Sequence, residues 1–309
     1  MKKISIFGPV ALALAVSLSG FSQAKEELAG VVETGAQPEL VQEGFMFTEG
    51  PVGTADGGLY FSDIRANRTF RLDATGKIAV FRENTNGSNG LALMRNGDLL
   101  AAEGDGKRIT RIDQKGKVTT LTEAGDGRPF LAPNDLIVDS KGGIYFTDPG
   151  PRPVAPGRKA YVYYLPAGSS RAITVTDQVA RPNGLTVTRD GKTLIVDDTL
   201  GDTVFQFDVQ PDGSAKNKRL FAVLHDVPAG QESGADGMAL DRAGRVYVST
   251  VTGIQVFDAS GKYLGTIHVP RQPANVAFSG PGKRTLYITA REGLYRLKMA
   301  AQGPDRLGK

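Results

Sequence analysis

An oxygen-bearing side chain set just ahead of a short apolar strand recurs six times along the chain. The six segments are Glu49-Gly50-Pro51, Asn89-Gly90-Leu91, Asn134-Asp135-Leu136, Asn183-Gly184-Leu185, Asp236-Gly237-Met238 and Asn275-Val276-Ala277. Positions 49, 89, 134, 183, 236 and 275 are separated by 40, 45, 49, 53 and 39 residues. Each is followed by an apolar strand, a turn and a second strand. A repeat of this length built from short strands is the mark of a β-propeller, in which every blade lines the central channel with its first strand. The predicted fold is therefore all-β, a six-bladed β-propeller. It would gather six Asn, Asp or Glu side chains around one axis.

Turn signals place the other strands. Leu59–Ser62, Leu99–Ala102, Ile144–Thr147, Leu194–Asp197, Val246–Ser249 and Leu286–Thr289 hold matching places in the six units. They are continuous apolar runs, as expected of strands packed between neighbouring blades. The Gly, Asn and Asp residues before them suit tight hairpins. Third strands follow at Thr69–Asp73, Ile109–Asp113, Tyr161–Leu165, Val204–Asp208, Ile254–Asp258 and Leu294–Lys298, and a fourth in the first five units. The sixth unit has no room for one. The segment Glu39–Phe45 is predicted to supply it, closing the ring and removing an open edge. Two long loops, 149–160 and 226–235, interrupt the pattern and are expected to overhang the channel mouth.

The first 24 residues read as a secretory signal. Lys2 and Lys3 precede the apolar run Ile4–Leu18, and Ser22-Gln23-Ala24 forms a small-x-small cleavage site. The expectation is export to the periplasm or beyond, with residues 25–309 as one propeller domain. The apolar run is short for a membrane span, and no second one follows, so no membrane anchor is expected. The chain has no Cys, so neither lipid attachment nor a disulfide framework is expected. Losing the two lysines takes the formal charge from +4 to +2. No basic run is interleaved with aromatics, which disfavours nucleic acid as a partner. A monomer or dimer acting on a small molecule is expected.

Several tempting motifs fail. Asp73-x-x-Gly76, Asp113-x-x-Gly116, Asp139-x-x-Gly142, Asp241-x-x-Gly244 and Asp258-x-x-Gly261 look like pieces of calcium loops. None reaches the bidentate Glu such a loop needs, so they are hairpin turns. No nucleophile elbow exists. The two histidines, His225 and His268, are too few for a His-rich zinc site. His268 reads as a packing residue, and His225 borders the loop before Asp236.

The six-fold position remains. Asn before a strand can organise its own turn, which explains Asn89 and Asn275 as well as a site role does. It explains Glu49 poorly. A carboxylate near the axis needs a counter-charge, and no Lys or Arg holds an equivalent position. A hard divalent cation would satisfy Glu49 and Asp236 together, with amide oxygens of Asn134 and Asn183 completing the shell. An all-oxygen set of this kind suits Ca²⁺ best, ahead of Mg²⁺, Mn²⁺ or Zn²⁺.

Glu49-Gly50-Pro51, Pro133-Asn134-Asp135, Ile144–Pro149, Pro182-Asn183-Gly184-Leu185 and Asp236-Gly237-Met238 together resemble the motifs of the SMP-30/gluconolactonase/LRE-like family, in the right order. The resemblance implies a six-bladed propeller with one divalent metal in its channel and hydrolysis of sugar-acid lactones. It implies metal ligation by Glu49, Asn134, Asn183 and Asp236, with Asp236 also the catalytic acid/base. The match is uneven. Members often carry Cys-Glu-His where this chain has Ala102-Glu103-Gly104, and some carry Arg where it has Ala132. Arg128 or Arg152 could supply a cation for a sugar acid instead, although a surface role suits either.

The expected reaction is metal-assisted lactone hydrolysis, in which the cation polarises the carbonyl and Asp236 moves the proton of the attacking water. Asn89, Asn275 and Asp148 are expected to hold substrate hydroxyls at the rim. Two alternatives stay open: metal-dependent hydrolysis of aryl esters or phosphotriesters, and a propeller that binds a ligand without turnover.

Overall fold

Gly, Asn and Asp at the turns fold each strand straight back on its predecessor, so the sheets grow as antiparallel meanders. The structure, a computed structural model, describes residues 28–305. The expected export signal lies outside them. Blade I comprises Thr48–Gly53, Leu59–Asp63, Arg68–Leu72 and Ile78–Glu83. Blade II comprises Ser88–Leu93, Leu99–Glu103, Arg108–Ile112 and Val118–Thr122. Leu136–Val138, Ile144–Asp148, Tyr161–Leu165 and Ile173–Thr176 make blade III. Blade IV follows with Pro182–Val187, Thr193–Asp198, Thr203–Val209 and Ala215–Val223. Blade V has Met238–Leu240, Val246–Thr250, Gly253–Phe257 and Tyr263–Ile267.

Blade VI is built from both parts of the chain. Asn275–Ser279, Thr285–Ala290 and Gly293–Lys298 are completed by Glu39–Glu43, which pairs antiparallel with the last strand from Glu39 opposite Arg296 to Glu43 opposite Gly293. The ring closes as the sequence predicts, with a closing strand two residues shorter than expected. The fold is a six-bladed β-propeller. One further hairpin, Ala124–Gly125 against Arg128–Pro129, was not anticipated; it stands between blades II and III.

The hydrophobic core lies between blades. Leu100, Phe130, Phe146 and Tyr163 join blades II and III, and Tyr247, Val256, Val276 and Ile288 join blades V and VI. The second strands Leu99–Glu103, Ile144–Asp148 and Val246–Thr250 are buried at every residue. Burial on both faces is why they read as unbroken apolar runs. Each large apolar side chain so enclosed contributes about 1.5–3 kcal/mol.

At the axis the inner strands approach one another more closely than any side chain allows. The Gly237 N–H donates to the Ala274 carbonyl at 2.7 Å. A Cβ on Gly237 would fall 1.7 Å from Cγ of Asn275, and one on Gly184 would fall 2.0 Å from the Asp236 carbonyl oxygen. The glycine that follows the polar residue is thus set by the neighbouring blade. Because backbone stands in the way at position 184, Gly184→Ala is expected to destabilise the protein by about 2 kcal/mol or more, read as a lower midpoint in chemical denaturation.

Candidate active site

Hydroxyl groups of one blade hold the polar positions of the next. Ser62 Oγ donates to the Asn89 carbonyl and Thr147 Oγ1 to the Asn183 carbonyl, each at 2.8 Å. The Gly90 N–H donates to the Asn134 carbonyl at 2.8 Å. Backbone pinned from both sides fixes where the six side chains stand.

Glu49 is buried, and its Oε2 accepts from the Gly50 N–H at 2.7 Å and from Nδ2 of Asn275 at 3.0 Å. Asp236 is partly open to the channel. Burial, then the charge of Glu49, push its pKa well above the usual carboxylate range, and the two carboxyl groups share a hydrogen bond. Two further acids stand close by. Asp135 is buried, with Oδ1 accepting from the Leu136 N–H at 2.9 Å and Oδ2 lying 3.4 Å from Asn275 Nδ2. Asp197 is fully buried, which pushes its pKa far up; Oδ1 accepts from the Gly184 N–H at 3.0 Å while Oδ2 has no hydrogen-bond partner. The Oδ1 atoms of Asn89 and Asn183 are likewise buried without a partner.

Unmet oxygen acceptors beside acids that repel one another are the conditions a hard cation relieves. Among the described residues no three His, Cys, Asp or Glu side chains converge on one ion position. A donor set here must mix carboxylates with amide oxygens. Glu49, Asp236 and the orphaned oxygen of Asn183 meet that requirement, with Asn134, half-buried at the head of blade III, as the fourth member.

Asn275 stands elsewhere than expected. It is 1% exposed, its Nδ2 serves Glu49 and its Oδ1 accepts from the Val276 N–H at 2.9 Å, so it orients a carboxylate instead of facing the rim. Asp148 also differs from its expected place. It is fully buried, and its two oxygens accept from the Leu131 and Ala132 N–H groups at 2.8 and 2.7 Å. Asp63 does the same for Met46 and Phe47, and Asp198 for Ala180 and Arg181. These are three copies of one device that tethers the segment entering a blade. Asn89 is half-buried.

The two insertions meet. Arg152 of the first donates to Glu232 of the second through Nη1 at 3.3 Å and Nη2 at 2.8 Å. Arg128 is engaged outside this group, with Thr174 and the Tyr161 ring. Glu103 is enclosed by Arg82, Arg108 and Thr110. His225 is exposed and stacks on Tyr263 with ring centroids 4.0 Å apart, and His268 is exposed instead of packed. The sequence reading missed Asp135, Asp197 and Arg181. Asp135 carried a signal, an acid at the place where four of the other five repeats have Gly.

Fold and site define a six-bladed propeller with an acidic, amide-lined channel. The SMP-30/Gluconolactonase/LRE-like region matches residues 47–292. The chain belongs to this family. It is 24% identical over 303 residues to a gluconolactonase of Zymomonas mobilis, covering 89% of this chain and 85% of that one. It is 29% identical over 250 residues to the pentonolactonase XacC of Haloferax volcanii, covering 79% and 81%. A solved gluconolactonase structure from Xanthomonas campestris superposes with a TM-score of 0.78 at 32% identity, covering 88% of this chain and 92% of that one.

Removing the amide that serves both Glu49 and Asp135 leaves two buried acids short of a donor. Asn275→Ala is therefore expected to cost about 1–3 kcal/mol, measured by chemical denaturation in the presence of chelator.

Proposed function

We propose that this protein hydrolyses sugar-acid lactones in the periplasm or outside the cell, using one divalent cation, Ca²⁺ by preference, held by Glu49, Asn134, Asn183 and Asp236. The observation that carries this reading is the contact between the Glu49 and Asp236 carboxyl groups beside an orphaned buried amide oxygen of Asn183. Family membership and the lactone-cleaving relatives support the choice of substrate.

When bound, the cation supplies Lewis-acid stabilisation of the charge that develops on the lactone carbonyl oxygen. The rest falls to side chains. Asp236, partly open to the channel, takes a proton from the attacking water as a C–O bond forms at the carbonyl carbon. The ring C–O bond then breaks, and Asp236 returns the proton to the departing ring oxygen, leaving a hydroxy acid. Glu49 balances charge and is aimed by Asn275. Asn89 offers its unpartnered side-chain amide oxygen, Oδ1, to a substrate hydroxyl.

Asp236→Ala is expected to lower kcat/KM for an aldonolactone by at least about a thousandfold, and excess chelator to abolish turnover until divalent cation is restored. Full activity in either case would refute the proposal. An aryl ester or phosphotriester turned over faster than any lactone would favour the other hydrolase reading. Protons compete with the cation for the same carboxylates. Calorimetric Ca²⁺ affinity should fall with falling pH, starting above the value of about 4 where an ordinary carboxylate protonates.

A further inference from the structure

Three guanidinium groups meet at the turn formed by residues 149–152. Arg181, two residues ahead of Asn183, is 7% exposed. It donates from Nη1 to the Pro149 carbonyl and from Nη2 to the Gly150 carbonyl, each at 3.2 Å. Arg158 lies across Gly150, where an added Cβ would come within 3.3 Å of its Cζ and Nε, and it donates to the Pro151 carbonyl. Arg152 belongs to the turn and pairs with Glu232.

The negative charge in reach falls short of these three. Glu232 is one carboxylate, already shared with Arg152. Asp148, beneath the turn, spends its two oxygens on the Leu131 and Ala132 N–H groups. Bracing two carbonyls needs N–H donors and no charge; a neutral amide would serve. A buried guanidinium set beside two others is instead disfavoured by desolvation and by mutual repulsion. Thr147, two residues before this turn, accepts from the Asn134 N–H at 2.9 Å and donates to the Asn183 carbonyl at 2.8 Å, which places this basic wall next to the candidate reaction centre. A guanidinium has five N–H donors, two of which Arg181 spends on carbonyls, and its planar fork matches an oxyanion.

We propose that Arg181, Arg158 and Arg152 form a subsite for an oxyanion on the substrate, so that the preferred lactone carries an anionic group remote from its reacting carbonyl. This rests on the lactonase reading for the identity of the reaction, although the subsite can be tested without turnover. A terminal carboxylate and a terminal phosphate offer the same chemistry to the arginines.

The test compares three lactones of one ring type on the Ca²⁺-loaded protein: an uncharged aldonolactone, its counterpart with a terminal carboxylate, and its counterpart with a terminal phosphate. The anionic lactone that fits should show kcat/KM about tenfold or more above the uncharged one, mainly through KM, and less so at raised salt. The ratio should fall toward one in Arg181→Met and in Arg158→Gln, the second lying on a half-buried loop position where misfolding is not at issue. In parallel, calorimetry measures binding of the open-chain aldonate, aldarate and phosphoaldonate to the same loaded proteins. Tighter binding of a doubly anionic acid, lost in the variants, supports the subsite even if no lactone is hydrolysed, an outcome that would fail the lactonase reading alone. Equal binding of all three acids, or an undiminished preference in both variants, overturns it.

Discussion

Glu49 and Asp236, two carboxyl groups held in contact beside the propeller axis, constrain everything around them. Two like charges about 4 Å apart repel by roughly 4 kcal/mol at the dielectric typical of such a site. Burial, then this repulsion, holds the Asp236 pKa well above the usual range. Such a pair persists only if the scaffold prevents it from separating. The scaffold does so through Ser62 and Thr147 hydroxyls on neighbouring backbone and through glycines that let inner strands touch. The closing strand Glu39–Glu43 removes the free edge at which the ring could open.

Much of this is legible in the sequence because propellers repeat. A polar residue before a strand, recurring at a blade's length, gives the ring, and Glu49 stands out because Glu does not form turns. The inner, second and third strands follow from turn residues and lie within a residue or two of their expected places. The acids that deepen the site were harder to find. Asp197 ends an apolar run, and its complete burial depends on how blade IV meets its neighbours. Asp148 shows how local pattern can mislead. Next to a Pro- and Gly-rich loop it suggests a substrate contact, yet it repeats the duty of Asp63 and Asp198. Comparing those three strand ends reveals the tether without any structure.

The channel is polarised. Acids and amides line its depth, while the blade III insertion brings Arg152 and Arg158 beside Arg181, and the insertion before blade V brings Glu232 to Arg152. Arg181 links these regions, since the segment that carries it into blade IV also carries Asn183. A ligand held by these arginines would be oriented by charge. That asymmetry comes from the insertions, whereas the ring itself is close to six-fold.

The central claim is that one divalent cation occupies the axis on oxygens of two acids and two amides. Anomalous scattering from crystals grown with Mn²⁺ tests it most directly. The account predicts one strong peak within about 2.0–2.6 Å of oxygen atoms from Glu49, Asn134, Asn183 and Asp236. A channel without a peak, or a peak bound away from Glu49 and Asp236, would contradict it.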